Sequence, residues 1–332
     1  MAVLVTGASG FIGLAVCEEL LARGEHVVGY DLVPSPELAQ ATFAALPGRF
    51  DHVIGDVCDR ESIKRVMRES RVDRLVSLAA ITADAAREMS APGAVVRVNV
   101  EGTVEAIHAA ANCGLRRVVH LSSGSVYGTS GRDEPRLFEE TSLRPESLYG
   151  ITKQAGEAAA LRLADLHRLD LLVGRLGTCF GRWELATAAR DTPSAPFQVV
   201  HAARSGRPVF LPRAHSRDWL YARDAAAAVV ALLGVKEQRF RVYNLAAGFV
   251  WSIAELCVQL ARSYPDFSWR LAETGEQSTI SYYAPYDRAP MAIERLRADT
   301  GFSPRYDLAN ALEDYLAWLG PVHQSTLEGV RP

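Results

Sequence analysis

An α/β fold with a doubly wound parallel sheet and a smaller C-terminal lobe is predicted by three features of the sequence. Short apolar runs alternate with helix-period stretches through the first half of the chain, the pattern of a parallel sheet covered on both faces. A glycine-rich turn, Thr6-Gly7-Ala8-Ser9-Gly10-Phe11-Ile12-Gly13, joins the first run to the first helical stretch. After residue 181 the rhythm breaks, and Pro193, Pro196, Pro208 and Pro212 punctuate shorter elements.

Taken in order, strands are predicted at residues 3–6, 26–30, 52–54, 74–78, 118–121 and 171–175, where β-branched and apolar residues cluster. Helices are predicted at 11–23, 60–69, 93–112 and 147–166, with a loop and short helix over the Pro- and Ala-rich stretch 34–47. Residues 221–233 and 241–245 return a helix and a strand to the main sheet, whereas 253–263 and 309–319 build the lobe. The expected division is a dinucleotide-binding domain at 1–180, rejoined by 221–247, and a substrate-binding lobe from 181–220 and 248–332.

Composition narrows the partners. At 332 residues and 48% hydrophobic content the chain can bury a sizeable core, and a net charge of −3 gives no footprint for nucleic acid and no polybasic membrane patch. Cys17, Cys58, Cys113, Cys179 and Cys257 are scattered without a Cys-x-x-Cys pair, which fits reduced thiols and offers no zinc frame. No charged leader precedes an apolar segment and no apolar run reaches spanning length. A cytoplasmic protein with a small-molecule ligand and no metal is expected.

The glycine turn sits between strand and helix, where backbone N–H groups can cradle a dinucleotide pyrophosphate. Asp31 ends the second strand, placed to accept from the adenosine ribose hydroxyls and to repel a 2′-phosphate; no Arg follows it, which favours NAD over NADP. Tyr149 and Lys153 stand four residues apart, on one helix face, so the ammonium can favour the phenolate and make Tyr149 a general acid or base.

The glycine turn together with Tyr149-Gly150-Ile151-Thr152-Lys153 resembles the extended short-chain dehydrogenase/reductase family, also called the NAD-dependent epimerase/dehydratase family. The resemblance implies a Rossmann-type sheet, NAD as cofactor and a homodimer built on helices 93–111 and 147–166. It assigns Gly7, Ser9, Gly10, Phe11, Ile12 and Gly13 to the pyrophosphate, Asp31 to the ribose, and Asp56 and Val57 to the adenine. Leu78, Ala79 and Ala80 follow the fourth strand, with Ser77 in place of the family's usual His; Asn99 supports the active-site backbone, and Ser122 and Lys153 complete the nicotinamide side. Counting four back from Tyr127, the catalytic hydroxyl falls on Ser123, which with Tyr149 and Lys153 forms the set that assists hydride transfer.

The substrate side departs from the family pattern. Gly124 and Ser125 stand where the sugar-nucleotide dehydratases carry an Asp-Glu pair, so elimination lacks its acid and base. Thr178 replaces the Asn common in nucleotide-sugar epimerases, and Gly177-Thr178-Cys179 is similar to the Gly-Ser-Cys of uronate-type dehydrogenases. Arg217, in Arg217-Asp218-Trp219-Leu220-Tyr221-Ala222-Arg223-Asp224, resembles the family's phosphate-binding Arg but could equally clamp a carboxylate or pair with a neighbouring acid. Thr274-Gly275-Glu276-Gln277 is read as standing in for the family's Arg-Pro-Gly-Asp. Thr82, Ser125 and Thr178 are the remaining hydroxyl contacts expected around a sugar. The resulting expectation is an NAD-dependent epimerase or dehydrogenase acting on a secondary alcohol of a sugar, nucleotide sugar or sugar acid. Two alternatives stay open: a uronate-like dehydrogenase that releases NADH, and a catalytically silent NAD-binding regulatory protein. His120 is read as a satisfied core histidine, and Tyr282, Tyr283 and Tyr286 as packing between lobes.

Overall fold

The apolar runs assemble into one seven-stranded parallel sheet in a computed structural model that describes residues 1–185 and 190–320. The parts of the expected lobe at 186–189 and 321–332 lie outside the described residues. In chain order the strands are β1 (Ala2–Thr6), β2 (His26–Asp31), β3 (Arg49–Ile54), β4 (Val72–Ser77), β5 (Arg117–Ser123), β6 (Leu171–Leu176) and a seventh, Val242–Leu245. Across the sheet they run Val242–Leu245, β6, β5, β4, β1, β2, β3. The direction of winding reverses between β1 and β4, so the carboxyl ends of those strands flank a crevice where ligands bind in open sheets of this kind.

Every residue of β1 is buried, which is why Ala2-Val3-Leu4-Val5 reads as a continuous apolar run and not as an alternation. On one face, helices Phe11–Ala22 and Ala222–Gly234 pack against the sheet and each other, the small side chains of Ala222, Ala226 and Ala228 allowing a close approach. Helices Arg60–Glu69, Gly102–Asn112 and Leu148–His167 cover the other face. Arg60–Glu69 shows the local logic: Asp59 caps it by accepting from the Ser62 N–H, and Ile63, Val66 and Met67 turn inward at helical spacing.

The stretch expected as one helix over 93–112 is three pieces: Pro92–Val96, a π-helical turn Arg97–Glu101, and Gly102–Asn112. The wider turn carries Asn99, only 1% exposed, into hydrogen bonds with the Ile81 backbone and Thr152. Such single π turns concentrate where one side chain must be aimed at a fixed point.

A second hydrophobic cluster gathers Phe180, Val199, Trp219, Trp251, Leu256 and Tyr315, contributed largely by helices Ala195–Arg204, Ile253–Ser263 and Leu308–Trp318. Helix Glu294–Thr300 does not join it. Leu296 and Phe302 pack into the main core, and Asp299 accepts from the Tyr243 hydroxyl at 2.8 Å, so the chain crosses back to the sheet edge before its last helix. Among the described residues no helix is long and apolar enough to cross a membrane.

Candidate active site

The turn after β1 is shaped by what a side chain would displace. Gly7 has φ +71°, and a Cβ there would lie 2.8 Å from Ala79 Cα; one at Gly13 would lie 2.0 Å from the Gly7 oxygen. Thr6 Oγ1 accepts from the Leu78 and Ala79 N–H groups at 3.2 and 3.4 Å, tying the end of β4 to the turn. No side chain caps helix Phe11–Ala22, so its first N–H groups remain free to meet an anion. The Ser9 N–H donates to Asp31 Oδ2 at 2.9 Å, fixing that carboxylate at the end of β2 beside the turn. This is a cradle that a dinucleotide fits: backbone donors at the turn, a fixed carboxylate beside them, and no Cβ in the way.

Further along the crevice, Asp56 accepts from the Cys58 N–H at 2.9 Å and pairs with Arg97 at 2.9 Å, so the π turn holds one of its oxygens. Val57 is 7% exposed and packs over Gly102, where a Cβ would come within 2.5 Å of it. Ala80 follows Leu78 and Ala79 into the partly buried segment that leads to Ile81 and Thr82. Ser122 is buried, and its hydroxyl has no partner among the described residues.

Ser123 ends β5 and starts a short 3₁₀ turn, accepting from the Ser125 N–H at 3.1 Å and donating to Ser125 Oγ at 3.2 Å. Ser147 caps helix Leu148–His167, which presents Tyr149 in its first turn and buries Lys153 one turn on. Burial pushes the Tyr149 phenol up, while the adjacent Ser123 and Thr82 hydroxyls and the Arg190 charge pull it back toward the phenolate. These are the strongest influences opposing burial. Burial lowers Lys153 to about 8, with Glu157 one further turn along opposing it.

His120 and Ser77 are register partners on β5 and β4, and His120 Nδ1 lies 3.3 Å from Ser77 Oγ. An imidazole thus lies beside Ser77, the position at which the family pattern has its usual His. Burial and the facing Lys153 hold it neutral, and its Nε2 has no partner among the described residues.

On the substrate side, Arg217 Nη1 donates to Thr178 Oγ1 at 3.1 Å, bringing together two of the expected contacts. The turn Thr274-Gly275-Glu276-Gln277 is an exposed surface feature, with Glu276 paired to Arg270 at 2.6 Å. The segment that does approach the cleft from that part of the chain carries Tyr283, Tyr286 and Arg288. Tyr283 meets Arg190 and donates to the Thr192 oxygen, Tyr286 donates to Glu146, and Tyr282 instead stacks on His215 within the second cluster. Sequence reasoning missed Arg190 and Arg288. The one signal for Arg288 was the pair Gly124 and Gly131, whose missing side chains leave room that some other residue must fill.

Comparison with known proteins decides the family. The family model for the NAD dependent epimerase/dehydratase family matches residues 3–246. The chain belongs to that family. A UDP-glucose 4-epimerase from Mycolicibacterium smegmatis is 32% identical over 267 residues, covering 79% of this chain and 82% of that protein. A dTDP-glucose 4,6-dehydratase from Streptomyces griseus is 29% identical, covering 99% and 97%. Among solved structures, MoeE5 in complex with UDP-glucuronic acid and NAD superposes with a TM-score of 0.76 at 25% identity, over 96% of this chain and 98% of that one. As an epimerase/dehydratase family member the chain is an enzyme of the NAD-dependent class.

Proposed function

We propose that this protein is an NAD-dependent epimerase of a nucleotide sugar. The observation that carries the reading is the gathering of Ser123, Thr82 and Tyr149 at the carboxyl end of β5, with Lys153 buried one turn from Tyr149. NAD, held by the turn 7–13, Asp31 and Lys153, supplies hydride acceptance and return when bound. The chain's own groups do the rest. Tyr149 takes the proton from the substrate hydroxyl as the phenolate, which the Ser123 and Thr82 hydroxyls and the Arg190 charge favour against burial, and the phenol so formed gives the proton back as the hydride returns. Ser123 and Thr82 orient the same oxygen, and the Lys153 ammonium anchors the cofactor ribose. Arg217, steadied by Thr178, receives an anionic part of the substrate.

Dehydration is disfavoured by what surrounds Ser123. Elimination needs an acid and a base at the reacting carbons, whereas positions 124 and 125 hold Gly and Ser, and the space over Gly124 contains the Arg288 guanidinium. The relatives that act on nucleotide sugars support the substrate class. The test is incubation of the protein with NAD and UDP-glucose or UDP-glucuronic acid, followed by NMR of the sugar and absorbance at the reduced-nicotinamide band. Conversion to an epimer without net NADH is expected. Stoichiometric NADH would make it a dehydrogenase, and a deoxy-keto sugar would make it a dehydratase.

A further inference from the structure

Arg190 and Asp191 join the two banks of the crevice. Arg190 pairs with Thr82 in an isolated parallel bridge, and the Asp191 N–H donates to the Thr82 oxygen at 3.3 Å. The Asp191 carboxylate then ties the crossing to the residues just beyond Thr82, Oδ2 accepting from the Asp84 N–H at 3.1 Å and Oδ1 pairing with Arg87 at 3.1 Å. In the other direction the Arg190 guanidinium lies over the Phe11 ring, 5.3 Å from its centroid. Phe11 follows β1 and Thr82 follows β4, so the crossing lies where the winding of the sheet reverses.

The crossing is anchored from behind. Glu184, whose side chain is 1% exposed, pairs with Arg190 at 3.3 Å and accepts from the Ser194 N–H and hydroxyl at 2.6 and 2.7 Å. Ser194 in turn caps helix Ala195–Arg204 of the second cluster. Arg190 Nε donates to the Thr192 oxygen at 3.2 Å, and Nη2 meets the Tyr283 hydroxyl. A guanidinium carries five N–H groups, so donors remain on Arg190 for an acceptor in the crevice.

We propose that Arg190 is a cofactor-binding residue and that Asp191 seats it, the pair strapping the nicotinamide half of NAD into the crevice. Two fixed points lay out the dinucleotide. Asp31, held by the Ser9 N–H at the end of β2, takes the adenosine ribose. Thr82 lies at the opposite end, where its hydroxyl adjoins the Tyr149 phenol. The strap is on the Thr82 side, so the adenosine half enters and leaves without disturbing it. The nicotinamide half comes free only when Arg190 parts from Thr82 or from Phe11. The strap acts whichever sugar the protein takes, because it meets the cofactor and not the substrate.

The test is release of NADH from the loaded full chain, chased with excess NAD and followed by nicotinamide fluorescence, beside calorimetric titration with ADP, which has no nicotinamide half. Asp191→Ala and Arg190→Met are expected to speed NADH release at least about tenfold while ADP affinity stays within about threefold of wild type. Arg190→Lys, a point charge without the flat fork, is expected to fall between wild type and Arg190→Met. Because Arg190→Met leaves Glu184 buried without its cation, the double variant Glu184→Gln with Arg190→Met is measured beside it, each checked for a wild-type melting transition. Unchanged NADH release in either Asp191→Ala or Arg190→Met, or an equal loss of ADP and NADH affinity, overturns the strap and leaves the nucleotide-sugar reading standing. Failure of wild type to bind NADH overturns the strap together with the turn and Asp31 as the cofactor cradle.

Discussion

Asn99 holds the backbone of Ile81 with both ends of one amide, Oδ1 accepting from the Ile81 N–H at 2.8 Å and Nδ2 donating to the Ile81 oxygen at 3.0 Å. The same Nδ2 donates to Thr152 Oγ1 at 3.0 Å, and that hydroxyl donates to the Tyr149 carbonyl at 2.9 Å. One buried side chain thereby fixes the segment that carries Thr82 and the helix turn that carries Tyr149. Replacing Asn99 by Leu removes these bonds and leaves buried Ile81 groups unpaired, at an expected cost of about 3 kcal/mol. Urea unfolding checks the stability, and turnover is expected to fall at least about tenfold as the two hydroxyls lose their common support.

Gly156 and Gly93 make a matched pair for testing how tightly the π turn is packed. A Cβ at 156 would lie 2.9 Å from the Asn99 oxygen, whereas one at Gly93 meets nothing within 4 Å. Gly156→Ala is expected to destabilise by about 1–3 kcal/mol by pushing helix Leu148–His167 off the turn. Gly93→Ala, in helix Pro92–Val96, is expected to be neutral or to stabilise by up to about 1 kcal/mol. Denaturation midpoints of the two variants compare them directly.

The alternation of apolar runs made the sheet legible, because fully buried parallel strands leave unbroken hydrophobic stretches such as Ala2-Val3-Leu4-Val5. The Gly7-to-Gly13 turn and the Tyr149–Lys153 spacing made the cleft legible because each depends on residues close in sequence. What escaped depends on distance or on context. Helix periodicity does not register the extra residue of the Arg97–Glu101 turn, since Val95, Asn99 and Ala106 still point inward across it. Arg190 and Arg288 reach Tyr149 and Gly124 from remote segments, and no local pattern marks them. Burial is likewise invisible to spacing: Tyr149 and Lys153 are both withdrawn from water, which drives the phenol up and the ammonium down.

The lowered Lys153 titrates in the working range. Its folded value of about 8 means that the cation present below that pH is lost as pH rises through it. Cofactor affinity should therefore weaken as pH is raised from about 6.5 to about 9.5, with a midpoint near 8 where an exposed lysine would show none. Titrations of NAD across that range should show the step in wild type and a flat response in Lys153→Met. A step that persists in Lys153→Met would assign it to another group.

Glu157 supports Lys153 by its charge and is itself held by Arg175, which meets it through Nη2 at 2.6 Å and Nε at 3.1 Å, both side chains being nearly fully buried. Glu157→Gln leaves the Arg175 cation uncompensated and is expected to cost about 3–5 kcal/mol. It should also move the Lys153 step below 8, because the group that raises that value has gone. Thermal unfolding and the same NAD titrations read the two effects separately.

The central claim is that Tyr149 transfers the proton while the cofactor is held elsewhere, and steady-state turnover of Tyr149→Phe beside its NAD affinity tests it most directly. A loss of about 10²–10⁴ in kcat with NAD affinity within about threefold of wild type is expected. An unimpaired rate in Tyr149→Phe would contradict the account.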